Sequence, residues 1–298
     1  MSAKNNNKKR YVQEKILNWY IKNARKLPWR EKRRKKKSLY SYYVYVSEFM
    51  LQQTTVNTVV PKFEEFIKIW PTIRKLSRAK EIKVLNVWSG LGYYKRAKNL
   101  LKSSKIIAKK YNYIIPKDYI DLIQLPGIGE YTAKAIQGIA YNIPVMPIDS
   151  NIERFIIRIN GLRKIKKNLT KFSENLISSK NSSNFIQALM DYGSAICLPK
   201  NPLCHKCVIQ KKCVAFEKKI TNLIPEKKIN KNINKIKFTR AYLIINEFNE
   251  ILVRRRPDTG MLQSMVEIPN DLWVENKKDL IKDNFLKNYN FKLYKINK

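Results

Sequence analysis

The sequence predicts a mostly helical protein that ends in a short segment with strands. Three observations support this prediction. Apolar residues recur at helical spacing through much of the chain up to residue 217, a glycine turn separates two short helices near its middle, and strand-like runs follow residue 237. With 298 residues, 44% of them hydrophobic, the chain is long enough for two domains with apolar cores.

The charge balance points to a negatively charged partner. There are 61 Lys and Arg residues against 23 Asp and Glu residues, a net charge of +38, which favours nucleic acid. The excess is mostly Lys and accompanies many Asn and Ile residues, as in compositional drift of a genome, so the charge is supporting evidence only. Because the sequence has neither a membrane-length apolar run nor a secretory signal, we expect a cytoplasmic protein without membrane contact.

The amino-terminal region divides into a tail and a helix. We expect residues 1–10, which are basic and rich in Asn, to be a disordered tail. The apolar pattern of residues 12–20 predicts an amphipathic helix that ends before Leu-Pro-Trp-Arg at residues 27–30. The basic run 32–37 is either a solvated loop or a contact to nucleic acid.

Residues 47–56, Ser-Glu-Phe-Met-Leu-Gln-Gln-Thr-Thr-Val, contain a candidate acid. If they are helical, Glu48, Gln52 and Thr55 line one side of the helix at positions i, i+4 and i+7. An isolated Glu on a polar face is usually solvated. The apolar residues 42–46 leave room for a partly buried carboxyl instead, and such groups are common at functional sites.

The sequence Trp-Ser-Gly-Leu-Gly-Tyr-Tyr-Lys-Arg-Ala at residues 88–97 predicts a turn beside two aromatic and two cationic side chains. Gly90 and Gly92 open the turn. The combination suits a wedge in a base stack with phosphate contacts on either side. Two tyrosines packed into a core would give the same pattern.

The segment 125–135, Leu-Pro-Gly-Ile-Gly-Glu-Tyr-Thr-Ala-Lys-Ala, predicts a helix, a glycine hairpin and a second helix. Gly127 and Gly129 let backbone N–H groups approach an anion, and the helix that starts near Glu130 directs its positive end the same way. A DNA phosphate is the natural anion, although a plain connection between helices has the same pattern. A third glycine and a Gly-Lys-Ser/Thr sequence are missing, which argues against a dinucleotide site or a Walker loop.

Four cysteines follow the predicted helices 152–159, 172–176 and 185–193. They are separated by six, two and five residues. In a reducing compartment this compact set indicates metal ligands rather than disulfides, and it suits either zinc or a four-iron four-sulfur cluster. The set is Cys197, Cys204, Cys207 and Cys213.

The carboxyl-terminal part of the sequence predicts a linker and a small second domain. Residues 218–237 are rich in Lys, Asn and Ile, as in a linker. Residues 238–245 and 251–254 then predict two strands around a turn.

Together, the motifs at residues 27–30, 47–54, 88–94 and 125–149 and the cysteine spacing closely resemble the adenine DNA glycosylase (MutY) family of the endonuclease III, helix-hairpin-helix superfamily. The resemblance covers residues 11–216. It implies a helical region, 11–217, with two subdomains and a DNA cleft between them. It also implies one 4Fe-4S cluster, rather than zinc, in the loop 197–213, and a partial, apparently truncated Nudix-like α+β segment at 238–298.

The reaction that the resemblance implies is removal of adenine mispaired with 8-oxoguanine or guanine in double-stranded DNA, during base excision repair. Glu48 matches the family's catalytic glutamate and Asp149 its catalytic aspartate. Cleavage of an N-glycosidic bond is easier if the leaving base is protonated, and the sugar left behind resembles an oxocarbenium ion. We therefore expect Glu48 to be the general acid and the ionised Asp149 to stabilise the cation.

Other site residues are assigned from the same resemblance. Tyr131 occupies the position of the nucleophilic lysine in the superfamily's lyases, and because a phenol cannot form a Schiff base, we expect a monofunctional enzyme. Lys134, three positions on, leaves weak lyase activity open. Tyr131 and Asn151 would shape the pocket, and the residues expected to contact DNA or the flipped base are Arg30, Gln52, Tyr93, Gly127 and Gly129.

The sequence departs from the family pattern in two places. Thr55 stands where the family usually has Gln. The Phe-Ser-His segment that helps relatives recognise 8-oxoguanine has no match, and we expect weakened discrimination for that base.

Two alternatives remain open, an endonuclease III-like glycosylase/lyase and a catalytically silent iron-sulfur protein that binds DNA. In each case we expect a monomer associated with the nucleoid.

Overall fold

The computed structural model describes residues 3–31, 37–163, 169–178, 180–226, 236–257 and 265–280. These residues belong to two compact units, Met1–Lys227 and Lys228–Lys298. The first unit is helical, as the apolar spacing predicts. None of the helices in the described ranges is both long and apolar enough to cross a membrane.

The helices of the first unit follow one another through short connections. They are α1 Ala3–Asn23, α2 Pro28–Glu31, α3 Lys37–Leu51, α4 Val56–Ile69, α5 Ile73–Ser77, α6 Glu81–Val87, α7 Lys95–Lys110, α8 Tyr119–Ile123, α9 Glu130–Ala135, α10 Ser150–Asn160, α11 Leu169–Leu176, α12 Ser182–Ala195 and α13 Val214–Glu217. A π-helical turn, Ile136–Ala140, continues α9.

The expectation of a disordered tail is wrong for residues 3–10, which form the first turns of α1. The Nζ of Lys8 donates to the carbonyl oxygen of Ile159 at 3.0 Å, in the last turn of α10. A cation at this end of a helix is favourable because the last carbonyl groups have no partner within the helix. Farther along α1, Val12 and Ile16 are completely buried.

Helix α3 lies at the centre of the first unit. Every residue from 40 to 50 is buried, so the helix is enclosed on all sides instead of presenting a polar face. Two of its tyrosine hydroxyls donate to backbone carbonyl oxygens of neighbouring segments. The hydroxyl of Tyr42 donates to Trp70 O at 2.7 Å and that of Tyr45 to Leu100 O at 3.0 Å. The helix ends at Leu51, so the predicted helical face that includes Gln52 and Thr55 is not formed.

The glycine hairpin between α8 and α9 is confirmed, but its two glycines differ. Gly127 has φ +81°, and a Cβ there would lie 2.7 Å from Phe49 Cε1 and 2.8 Å from Asn99 Cβ. Gly129, at the N-cap of α9, has φ −96°, and a Cβ there would meet nothing within 4 Å. Only the first of the two requires glycine.

We expect Gly127→Ala to reduce the free energy of unfolding by about 1–3 kcal/mol, because the alanine combines a left-handed backbone with a clash. Gly129→Ala is the matched control and should cost less than about 1 kcal/mol. Urea unfolding of both variants measures the difference. Equal losses would mean that the close approach to Phe49 and Asn99 does not hold in solution.

The second unit contains a two-stranded antiparallel sheet, β1 Arg254–Arg255 with β2 Val266–Glu267. The predicted strands 238–245 and 251–254 are largely wrong, since residues 238–253 form only isolated bridges, one of which joins Ile245 to Ile251 around the predicted turn. The linker boundary is also wrong at its start. Residues 218–226 belong to the first unit, where Ile224 is 2% exposed, and residues 227–235 lie outside the described part.

Candidate active site

Residues from distant parts of the first unit line one cavity of about 810 Å³. The carboxyl-terminal end of α3, the amino-terminal end of α10, α9, α12 and the segment before α3 all contribute. The predicted site residues that it brings together are Arg30, Glu48, Gln52, Tyr131, Asp149 and Asn151. Tyr93, Gly127 and Gly129 are not part of its lining.

Glu48 lies in the last turns of α3 and is 7% exposed. Burial, and to a smaller extent the negative charge of Asp149, raise the pKa of its carboxyl to about 8, although the positive charge of Arg30 opposes both effects. The carboxyl is therefore protonated at neutral pH. A neutral acid on the wall of a cavity can donate a proton to a bound base.

Asp149 is the N-cap residue of α10. Its Oδ1 accepts a hydrogen bond from the backbone N of Ile152 at 2.7 Å, and its Oδ2 accepts one from Asn151 Nδ2 at 3.1 Å. Both bonds fix the direction of the carboxylate, which faces the positive end of α10. This side chain suits an electrostatic role beside a developing positive charge.

Arg154, which sequence reasoning missed, holds Asn151 in place. Its Nη2 donates to Asn151 Oδ1 at 2.8 Å, and its Nε donates to Cys197 O at 2.7 Å. A continuous line of hydrogen bonds therefore runs from Asp149 through Asn151 to the cysteine loop. The spacing of Asn151 and Arg154 could have indicated this contact, because residues three apart on a helix share a face.

Gly193 of α12 lets this line form. A Cβ at Gly193 would lie 2.6 Å from Asn151 Cβ and 3.1 Å from its Cα, so any larger residue would push α12 away from the amino-terminal end of α10. The carbonyl oxygen of Gly193 also accepts from Arg154 Nη2 at 2.6 Å. No short-range pattern in the sequence indicates this contact.

Arg30 is held by Asp191, another residue that sequence reasoning missed. The two nitrogens Nη1 and Nη2 of Arg30 donate to the two carboxylate oxygens at 2.7 and 3.1 Å, and Arg25 Nε adds a bond of 2.6 Å. Burial acts to raise the pKa of Asp191, but the bonds and charges of these arginines keep it below its ordinary value. The guanidinium of Arg30 is thus fixed in the cavity wall beside Glu48.

Tyr131 is half-buried, and its hydroxyl stays protonated. Burial and the charges of Glu48 and Asp149 raise its pKa well above the ordinary value. Lys134 forms an ion pair with Glu130 at 2.6 Å and does not line the cavity. None of the described residues that line the cavity is a lysine. The structure therefore places no amine nucleophile in the cavity.

Gln52 and Tyr93 lie on two neighbouring loops. The Nε2 of Gln52 donates to Gly127 O at 3.2 Å, which ties the cavity rim to the glycine hairpin. Tyr93 is 64% exposed and has φ +48°. A side chain held outward in this way fits the predicted wedge better than the alternative of a core tyrosine.

The four cysteines line a second, small cavity, together with Arg158 and Tyr192. None forms a disulfide, and Arg158 Nη1 donates to Cys197 Sγ at 3.4 Å. In the described ranges, no three His, Cys, Asp or Glu side chains are grouped so that they could hold a metal ion directly. Four thiols around one cavity are a donor set that suits either zinc or an iron-sulfur cluster. His205 is exposed and is not among the lining residues.

Comparison with known proteins is consistent with this geometry. Residues 46–179 match the family model of the HhH-GPD superfamily base excision DNA repair protein. An adenine DNA glycosylase of Buchnera aphidicola subsp. Acyrthosiphon pisum is 37% identical over 278 residues, which cover 88% of this chain and 77% of that protein. The human adenine DNA glycosylase is 32% identical over 212 residues, covering 68% of this chain and 39% of that protein.

Solved structures show the same fold. A thermostable thymine-DNA glycosylase superposes with a TM-score of 0.64 at 25% identity, over 72% of this chain and 98% of that chain. Endonuclease III in a non-covalent DNA complex gives a TM-score of 0.60 at 20% identity, over 74% of this chain and 99% of that chain. The first unit therefore has the helix-hairpin-helix glycosylase fold, and its sequence identity to curated relatives over most of its length shows that the chain belongs to the adenine DNA glycosylase family.

Proposed function

We propose that the protein is a monofunctional DNA N-glycosylase that binds double-stranded DNA as a monomer and removes adenine mispaired with 8-oxoguanine or guanine. The observation that carries this proposal is the placement of a neutral Glu48 and the capped Asp149 on the wall of one cavity. The two residues are a hundred positions apart in the sequence. Membership of the adenine DNA glycosylase family supports the choice of base.

In the proposed reaction, the target adenine leaves the base stack and enters the cavity, which costs a few kcal/mol of stacking and pairing. The Glu48 carboxyl gives its proton to a ring nitrogen of the adenine. The bond between the base nitrogen and the sugar C1′ then breaks, and its electron pair leaves with the neutral base. The Asp149 carboxylate stabilises the cationic sugar until water adds at C1′, and the proton released returns to Glu48.

We expect the single-turnover rate constant of excision to be constant at neutral pH and to fall about tenfold per unit above pH 8. The reaction needs the protonated form of Glu48, whose pKa is raised to about 8, so activity is lost as pH rises through that value. Rates measured with saturating enzyme from pH 6.5 to 9.5 provide the test. A rate that increases across this range would show that Glu48 acts as a base.

We propose that Cys197, Cys204, Cys207 and Cys213 hold one 4Fe-4S cluster. The donor set of four thiols around a cavity and the Arg158 contact to Cys197 Sγ support it. The cluster, when bound, supplies iron-sulfur bonds that cross-link the loop 197–213 and fix its position beside Arg154.

Replacing a cysteine tests the cluster. We expect purified wild-type protein to contain about four iron atoms per chain, and Cys204→Ser to lose most of that iron and its visible absorption. His205→Ala is the control and should retain both, since His205 is outside the cavity lining. Zinc in place of iron, or iron loss in the His205 variant alone, would contradict the assignment.

The proposed activity is tested on a duplex with one adenine opposite 8-oxoguanine, and on the same duplex with guanine in that place. We expect strand breaks after alkali, which cleaves abasic sites, and none before it. Breaks without alkali, together with borohydride trapping of a covalent adduct, would identify a lyase instead. Binding without any break would identify the catalytically silent alternative. The ratio of the two rates measures discrimination for 8-oxoguanine.

A further inference from the structure

A buried arginine joins the turn that carries Gln52 to the loop that carries Tyr93. Arg96, at the start of α7, is 7% exposed, although the sequence Lys-Arg after two tyrosines suggests a phosphate contact. Its Nη1 donates to Met50 O at 2.7 Å and to Phe49 O at 3.2 Å, and it also donates to Gln52 O. These carbonyls lie at or just beyond the end of α3, where helical partners are lacking.

The other terminal nitrogen of Arg96 binds the glycine turn. Its Nη2 donates to Leu91 O at 2.8 Å and to Gly92 O at 3.1 Å, and to Thr54 Oγ1 at 3.0 Å. A planar guanidinium presents these donors in a fixed geometry. The separation between the turn that carries Gln52 and the loop that carries Tyr93 is therefore set by one rigid group.

The burial of Arg96 is not explained by ion pairing. It forms no ion pair within the described part of the chain, and its Nε is buried without a hydrogen-bond partner there. Burial lowers the pKa of Arg96, yet an arginine remains charged at any physiological pH. Its charge is compensated by the dipoles of the backbone carbonyls that accept its hydrogen bonds.

Arg96 also contacts the rings of Tyr93 and Trp88. The guanidinium carbon of Arg96 lies 5.6 Å from the centre of the Tyr93 ring and 5.5 Å from that of the buried Trp88. Tyr93 has a left-handed backbone and is followed by a helix that starts at Lys95. Arg96 thus packs against the exposed ring of Tyr93. Its Nη1, through the hydrogen bond to Gln52 O, fixes Gln52 at the cavity rim.

We propose that Arg96 is a positioning residue for opening of the DNA base stack, which holds Tyr93 and Gln52 at the spacing needed to displace the target base. The proposal rests on the proposed function, because it assigns those loops to DNA. Arg96 itself touches neither the base nor the phosphates. Its loss should reduce extrusion of the base and leave the chemistry of an already extruded base intact.

The test measures opening and cleavage separately. A duplex carries 2-aminopurine next to the target adenine, and its fluorescence increases when the neighbouring stack opens. We expect Arg96→Lys to reduce this increase at least threefold and to reduce the single-turnover excision rate at least tenfold. On a duplex whose adenine lies in an unpaired bulge, the same variant should stay within threefold of wild type. Lys105→Gln, which removes one charge from the exposed side of α7, is the control and should match wild type throughout.

A double-mutant cycle distinguishes positioning from general stability. If Arg96 acts through Tyr93, adding Arg96→Lys to Tyr93→Ala should change the fluorescence less than twofold. Independent, multiplicative effects would overturn the proposal, as would equal losses on paired and bulged duplexes. Thr54→Val removes only one acceptor of Arg96 and covers the case in which Arg96→Lys does not fold. It should show a smaller loss of opening at an unchanged melting temperature, and wild-type opening would overturn the proposal.

Failure of the proposed function has a different signature. If wild-type protein opens the duplex but removes no adenine, the glycosylase assignment fails, while the fluorescence comparison still decides the role of Arg96. If wild-type protein removes adenine and Arg96→Lys opens the paired duplex equally well, only the role of Arg96 is rejected.

Discussion

Glu48→Gln is expected to reduce the single-turnover rate of adenine excision by about 10²–10⁴-fold. Gln has nearly the same shape and can occupy the same wall of the cavity, but it has no proton to give to the leaving base. DNA binding should change little, since Glu48 lies in the cavity wall and only 7% of it is exposed. Glu64→Gln, an exposed carboxyl on α4, is the control and should have wild-type rates. Unchanged excision in Glu48→Gln would remove the general acid from the mechanism.

The same substitution should make the protein more stable at pH 8. The pKa of Glu48 is about 8 in the folded protein against an ordinary value of 4.5, so the folded state retains a proton that the unfolded state releases. Stability is therefore lost as pH rises from about 4.5 to about 8, at up to about 1.4 kcal/mol per unit. Gln does not titrate and avoids this loss. Melting temperatures at pH 5 and pH 8 should diverge in favour of the variant at the higher pH.

Asp149→Asn is expected to reduce excision by about 10²–10³-fold while leaving the fold intact. Asn is as good an N-cap residue as Asp, so its Oδ1 can still accept from the backbone N of Ile152 and α10 should keep its first turn. What the variant lacks is the negative charge beside the sugar and the Oδ2 acceptor for Asn151 Nδ2, because an amide NH₂ takes that place. Single-turnover rates and melting temperatures, measured together, separate the two effects.

Asp118→Asn is the matched control for that variant. Asp118 also occupies an N-cap, that of α8, but its side chain makes no capping hydrogen bond and does not line the cavity. The same loss of charge there should leave the rate within twofold of wild type. A comparable loss in both variants would show that net charge and DNA affinity, rather than a local carboxylate, control the rate.

The sequence was sufficient for the helical framework and the glycine hairpin. The apolar residues before Glu48 single out its carboxyl, whereas Asp149 and both catalytic roles come from the family resemblance and stay predictions. The meeting of Glu48 and Asp149 in one cavity depends on the glycine hairpin, whose close approach to α3 at Gly127 is a consequence of a missing Cβ. That feature is also readable from the sequence.

The residues that support the site could not be found in the same way. Arg96 and Asp191 are charged residues in the interior, where the usual expectation for their types is a solvated position. Their burial depends on carbonyl groups and arginines from segments distant in sequence, such as Met50 for Arg96 and Arg30 for Asp191. The role of Gly193 could not be found from local pattern either, because its contact to Asn151 joins α12 to α10. Local periodicity carries no information on such contacts.

In the second unit, the sequence has the pattern of strands but the structure largely lacks them. Alternating apolar residues in 238–254 satisfy the pattern of two strands, yet most of their partners are single bridges. Strand pairing is decided by cross-strand neighbours rather than by intrinsic preference. The predicted turn does form, since the backbone N–H groups of Phe248 and Glu250 both donate to Asn246 Oδ1.

The most direct test is an infrared titration of the buried carboxyl. Difference spectra between wild-type protein and Glu48→Gln, recorded from pH 5 to pH 10, isolate the carbonyl stretch of the protonated Glu48 side chain. The stretch should be present in full at pH 6 and should be half lost near pH 8, where the pKa of Glu48 lies. A carboxylate signal already complete at pH 6 would show that Glu48 has no proton to donate, and would contradict the account of adenine release given above.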